Sequence, residues 1–256
     1  MVFSKTFKSW EYDVLQIYNL THYGPLFHWF DFLINESRGI EGDVLEAGVW
    51  KGRSLISGAI ALHENSINKT IYGFDTFSGF PESEDPRDEP SYFKELFKAG
   101  LISEEHLSDH QTNMCHMSYI KKVVITSRTF SSSGDFSETD PMKILSKAEY
   151  LQLENLKVIP GPFEETMNHN SELYGNKWSA VLLDCDLYES YITTLNFVWP
   201  SLSIGGMVYL DEYYSLKFPG ARKACLEFLA NKKVSYHHEI DKNNGFERWW
   251  VIKEGN

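Results

Sequence analysis

Cysteine is scarce in this 256-residue chain: Cys115, Cys185 and Cys225 lie far apart, with no CxxC pair. That spacing offers neither a disulfide framework nor a thiolate zinc knuckle. Long apolar runs are missing too, since none approaches the ~18 residues of a membrane-spanning helix. No apolar core follows a basic start, so no secretory leader is expected and the protein reads as cytoplasmic. Positive charge is short: 24 Lys and Arg stand against 36 Asp and Glu, a net charge of −12. Basic residues never exceed two in a row. A nucleic-acid binder gains affinity by neutralising phosphates, which this surface would repel, so DNA and RNA are not expected as partners. The nine histidines are scattered without metal-ligand spacing, and His237-His238 reads as surface or packing.

What is present suits a folded enzyme. Hydrophobic residues make up 42% and charged residues 23%, and a domain of this size buries roughly 70–75% of its extended-chain surface without help from a disulfide or metal. Residues 7–38 carry apolar side chains at spacings of three and four, broken at Gly24-Pro25, and predict two amphipathic helices. His22 and Tyr23, between them, are candidates to line an acceptor pocket, although packing is the simpler role. From Asp43 an apolar strand, a glycine-punctuated turn and a helix over about Arg53–His63 lead to a second strand ending in Asp75. This is a β-α-β unit, whose parallel strands need a crossover.

Residues 76–121 are dense in Pro, Ser, Asp and Glu and carry short helical patches. That is too long for an ordinary βα connection and predicts a lid. Beyond an ambiguous stretch, DPMKILSKAEYLQL predicts a helix with Asp140 as N-cap and Pro141 at its first position. LKVIPG, SAVLLDCD and GGMVYLDEY read as the third, fourth and fifth strands, separated by helices. KVSYHHEID and ERWWVIKE read as an antiparallel pair around DKNNG. The expectation is a single α/β domain over 1–256: a doubly wound, seven-stranded, mostly parallel sheet with a helical segment at 1–40 and the lid at 76–121.

In such sheets ligands bind beyond the carboxyl ends of the strands. The first strand exits through Glu46-Ala47-Gly48-Val49-Trp50-Lys51-Gly52. Gly48 and Gly52 let the backbone turn tightly and approach a ligand, and the next helix offers free N–H groups around Ser54. Trp50 and Ser54 stand where a GxGxxG fingerprint has glycines, which disfavours a pyrophosphate-bearing dinucleotide. Asp75, at the second strand's exit, is placed to accept ribose hydroxyls or to cap the following turn.

The fourth strand exits through Asp184-Cys185-Asp186 and the fifth through Asp211-Glu212. Neighbouring parallel strands lie about 4.8 Å apart, so these four carboxylates converge. They cannot all stay ionised without a cation, and a hard oxygen donor set without His or Cys suits Mg²⁺. Capping of the helices after each strand is the competing explanation for the acids.

DVLEAGVWKG, FDTFSGFP, IPGPFEET, LLDCDLYES and LDEYYSLKFPGARKA, in this order and spacing, resemble the macrocin O-methyltransferase family over roughly residues 40–230. The resemblance implies a class I, Rossmann-like methyltransferase fold, S-adenosylmethionine as donor and a small-molecule hydroxyl acceptor, in known members a sugar. It implies Mg²⁺ held by Asp184, Asp211 and Glu212, with Asp186 as general base. Members commonly have two aspartates where this chain has Asp211-Glu212, so Glu212 is a longer-reaching substitute. Glu46, Gly48, Trp50, Gly52, Ser54, Asp75 and Asp184 fall on the donor side, with Gly161, Pro162 and Phe163 near the adenine, and a dimer is compatible.

Rival readings fare less well. DCDLYES looks like the DxD of haloacid-dehalogenase phosphatases, but their nucleophile follows the first strand and this motif follows the fourth. Catechol-type methyltransferases share the metal logic and differ in the acceptor. A non-enzymatic binding protein on the same scaffold should have lost the acids, and all four are present.

Overall fold

The computed structural model describes residues 7–20, 24–81, 83–127, 129, 136–241 and 245–255. His22 and Tyr23 lie outside them. Helices α1 (Ser9–Leu15) and α2 (Phe27–Asn35) flank the Gly24-Pro25 break. Strands β1 (Asp43–Ala47) and β2 (Ile71–Asp75) are joined by α3 (Arg53–Glu64). Next come α4 (Phe93–Lys98), α5 (Glu104–Lys121) and α6 (Pro141–Tyr150). The rest alternates β3 (Leu156–Pro160), α7 (Phe163–Thr166), β4 (Trp178–Leu183), α8 (Tyr188–Val198), β5 (Leu202–Leu210) and α9 (Pro219–Leu229), then β6 (Val234–Ile240) and β7 (Glu247–Lys253).

The seven strands form one sheet in the order β3-β2-β1-β4-β5-β7-β6. β1 to β5 pair in parallel, while β7 runs antiparallel to both β5 and β6. Because helices cover both faces, the central strands are apolar on both sides. Leu45, Ala47, Val181, Leu183, Val208 and Leu210 pack with α8 and α9 on one face. Val44, Ala180, Leu182, Met207 and Tyr209 pack with α2, α3 and α6 on the other.

Asp140 caps α6, its carboxylate accepting from Met142 N at 2.9 Å. Where sequence periodicity suggests short patches, α5 is instead one helix of 18 residues. Its buried side chains are His106 and His110 rather than an apolar stripe. His106 Nε2 donates to the Ser215 carbonyl at 2.8 Å and His110 Nδ1 to that of Leu216 at 3.0 Å. These bonds fasten the 76–121 insertion to the loop after β5. A second fastening is Asp88, almost fully buried, which accepts Tyr188 N at the start of α8 (2.8 Å) and Ser83 Oγ (2.7 Å).

Candidate active site

Register brings the chemistry together. Ala47 pairs with Leu183, and Leu183 with Leu210. The next residue of each strand, Gly48, Asp184 and Asp211, therefore emerges at one level. Asp184 N donates to Ala47 O (2.9 Å) and Asp211 N to Leu183 O (3.0 Å), carrying the ladder to its last rung. A Cβ on Gly48 would stand 1.8 Å from the Asp184 carbonyl oxygen, and its φ is +90°. Only glycine lets the β1 turn pass this close to the β4 tip.

Above this row lies a cavity of about 670 Å³. On its β1 side, Asp75 braces the turn: Oδ2 accepts Val49 N (2.7 Å) and Trp50 N (2.8 Å), and Oδ1 accepts Phe77 N (2.8 Å). Asp75 thus does the turn-capping work considered from sequence, and its carboxylate keeps lone pairs for a further donor. Trp50 holds an αL conformation, φ +48°. Gly52, φ +76°, is the N-cap of α3 and packs on Ile144. Glu46 is fully buried on the α3 face; Ser54 Oγ donates to its Oε1 at 2.6 Å, while Oε2 has no hydrogen-bond partner. Burial, reinforced by the charge of Asp75, pushes the Glu46 carboxyl up to about 8, against the pull of Ser54. Gly161, φ +138°, donates to the Asp75 carbonyl, and Pro162 and Phe163 line the cavity.

On the β4–β5 side the acids meet. Carboxylate oxygens of Asp184, Asp186 and Glu212 all lie within 4.8 Å of one another, a group that takes in Asp186 and leaves out Asp211. Asp211 shares a hydrogen bond with Asp184, and its Oδ1 lies 4.0 Å from Arg248 Nη1. Asp186 sits at the centre of a three-residue turn closed by Leu187 N to Cys185 O (2.6 Å), with φ +61°. Such turns are rare and strained for a residue with a side chain. Burial, then mutual repulsion, holds the Asp184 and Asp186 carboxyls well above the usual range. Glu212 rises to about 7 for the same two reasons, burial first and Asp211 next. These groups fit a hard divalent cation: all donors are oxygen, and the excess negative charge is what such an ion relieves.

Several lining residues escaped the sequence reading. Tyr18, Lys217 and a chain of rings belong here. Trp50 meets Phe136 edge-on (5.5 Å between centroids), Phe136 stacks on Phe80 (5.7 Å), and Phe80 leans on Phe218 (5.8 Å). The rings come from four separate segments, so no local spacing announces them. Among the described residues no helix is long and apolar enough to cross a membrane.

The sheet order and its strand-tip site define the class I methyltransferase fold. Calicheamicin methyltransferase CalS11 superposes with a TM-score of 0.61, covering 90% of this chain and 78% of that one at 18% identity. Residues 33–116 and 145–250 match the family described as Macrocin-O-methyltransferase (TylF), and the chain belongs to that family. It is 26% identical over 212 residues to mycinamicin III 3''-O-methyltransferase of Micromonospora griseorubida, covering 82% of this chain and 69% of that protein. To demethyldecarbamoylnovobiocin O-methyltransferase of Streptomyces niveus it is 25% identical, covering 77% of this chain and 61% of that protein.

Proposed function

We propose that this protein is an S-adenosylmethionine- and Mg²⁺-dependent O-methyltransferase that acts on a hydroxyl of a small-molecule acceptor, a sugar moiety. The observation that carries the reading is the convergence of Asp184, Asp186 and Glu212 within 4.8 Å, in the cavity shared with the Gly48 turn. Family membership supports it, because the relatives' names are those of O-methyltransferases.

The donor would supply the methyl group, and Mg²⁺, when bound, would supply Lewis-acid polarisation of the acceptor hydroxyl. By family resemblance Asp184, Asp211 and Glu212 would hold the ion, although the carboxylate oxygens grouped within 4.8 Å are those of Asp184, Asp186 and Glu212, which puts Asp186 close enough to share it. Asp186, whose carboxylate faces those of Asp184 and Glu212, accepts the proton of the reacting hydroxyl at its own oxygen, worth about 10²–10⁴ in rate. Gly48 would let backbone approach the donor and Ser54, at the cavity wall, would face it, while fully buried Glu46 would act on it through its hydrogen bond with Ser54. Asp75 would accept from the ribose while bracing Trp50, and Pro162 and Phe163 would pack against the adenine. The insertion at 76–121 covers the acceptor and excludes water.

Incubation with S-adenosylmethionine, Mg²⁺ and a panel of glycosides, read by mass, tests this. A gain of one methyl group that EDTA abolishes is expected. Absence of donor binding, or transfer untouched by EDTA, overturns it.

A further inference from the structure

The loop after β5 carries Glu212, Lys217 and Phe218, which line the cavity, and between them a serine set back from its wall. Ser215 is buried. Its Oγ accepts the backbone N–H groups of Lys217 and Phe218, both at 3.0 Å. A hydroxyl has two lone pairs and one proton. With both lone pairs taken, the proton goes to the carboxylate of Glu212. Glu212 is therefore held at both ends, its N–H on the Tyr191 hydroxyl at 3.1 Å and its carboxylate on Ser215. A glutamate side chain has one more torsion than an aspartate, and ordering it on a ligand costs entropy unless neighbours have already fixed it.

Ser215 is in turn held from the 76–121 insertion. Buried His106 of α5 donates from Nε2 to the Ser215 carbonyl at 2.8 Å, its ring against that of Tyr214, 4.3 Å between centroids. One turn along α5, His110 Nδ1 donates to the Leu216 carbonyl at 3.0 Å, with Asn113 Nδ2 beside it at 3.4 Å. Phe93 of α4 stacks on His110, 4.0 Å between centroids. Contacts thus run without a gap from α5 through the backbone and hydroxyl of Ser215 to the Glu212 carboxylate. The carbonyl and the hydroxyl pivot on one Cα, so a shift of α5 that drags the first also turns the second.

We infer that Ser215 is a positioning residue for Glu212, and that His106, by fixing Ser215, makes docking of the insertion and binding of the divalent ion depend on each other. This rests on Glu212 being a ligand of that ion. Such coupling is reciprocal: the docked insertion tightens the ion, and the ion tightens the insertion.

Calorimetric titration of Mg²⁺ into donor-saturated protein reads one direction. Ser215→Ala is expected to weaken Mg²⁺ about tenfold, the scale of one hydrogen bond to a charged group. His106→Phe keeps a ring against Tyr214 but donates nothing, and is expected to weaken it about fivefold. His106→Gln, whose Nε2 can reach the same carbonyl, is expected to restore the unaltered affinity. S-adenosylmethionine affinity is expected to be unchanged in all three variants. Hydrogen exchange reads the other direction: saturating Mg²⁺ is expected to slow amide exchange in α5 about fivefold in the unaltered protein and not in His106→Phe. If the unaltered protein binds Mg²⁺ and either Ser215→Ala or His106→Phe binds it equally well, the inference alone is overturned. A His106→Gln as weak as His106→Phe overturns it too, as does a joint loss of donor and Mg²⁺ affinity, the mark of general loosening. Should Ser215→Ala not fold, the two His106 variants decide. Unaltered protein that binds no Mg²⁺ overturns the proposed ion site, and this inference with it.

Discussion

The hydroxyl of Tyr191 accepts the backbone N–H of Glu212 at 3.1 Å and donates to the carbonyl of Leu183 at 3.0 Å. A side chain from α8, fully buried, thereby joins the β4 tip to the first acid pair beyond β5. Tyr191→Phe leaves a buried donor and acceptor unmatched, a cost of about 1–3 kcal/mol. Chemical denaturation should show that loss, and Mg²⁺ affinity should fall with it because Glu212 loses its anchor. Unchanged Mg²⁺ affinity would mean that the bridge does not position Glu212.

Glu46 has a pH signature with a definite sign. Its carboxyl is lifted from 4.5 to about 8, so across that window the folded protein keeps a proton the unfolded chain has released. Stability therefore falls as pH rises through the window; the contribution is complete below it and gone above it. Glu46→Gln removes this contribution and leaves the other acids in place. Melting curves of the variant and the unaltered protein should diverge towards pH 8, in the variant's favour. Parallel curves would contradict the assignment.

The clasp at the base of the insertion is testable by size and by hydrogen bonding. A Cβ on Gly220 would lie 1.9 Å from Asp88 Oδ1, so Gly220→Ala forces Asp88 off the α8 N-terminus, at about 1–3 kcal/mol. Asp88→Ala removes the same bond without crowding. Both variants should show faster proteolysis within 76–121, and resistance equal to the unaltered protein would sink the clasp.

The division of labour among the acids separates by readout. Asp211→Asn should weaken Mg²⁺ binding at least about tenfold, whereas Asp186→Asn should leave it within a few-fold and lower turnover by about 10²–10⁴. A reversed pattern would place Asp186 on the ion.

The central strands were legible because they are short apolar runs closed by glycine or an acid, as in Val44–Ala47 before Gly48 and Val181–Leu183 before Asp184. The meeting of Asp184 and Asp211 was legible for the same reason, since parallel neighbours in register carry their next residues to one level, whereas Asp186 arrives through a tight turn at φ +61° that sequence spacing does not display. Helix α5 was not, because it is fastened through His106 and His110 rather than an apolar stripe. Asp75 was read chiefly as a ligand-facing acid, yet three backbone N–H groups already occupy it, a cost of turning β1 sharply that no motif displays. Phe80, Phe136 and Phe218 meet through tertiary contacts alone, which is why sequence spacing missed the aromatic wall.

The central claim is that acids from two neighbouring strand tips hold one divalent ion beside a sulfonium donor. Calorimetric titration of Mg²⁺ into donor-loaded protein, unaltered and Asp184→Asn, tests it most directly. A single-site isotherm that disappears in the variant while donor affinity stays nearly intact is the expected result. Identical isotherms in the two proteins, or no Mg²⁺ binding in either, would contradict it.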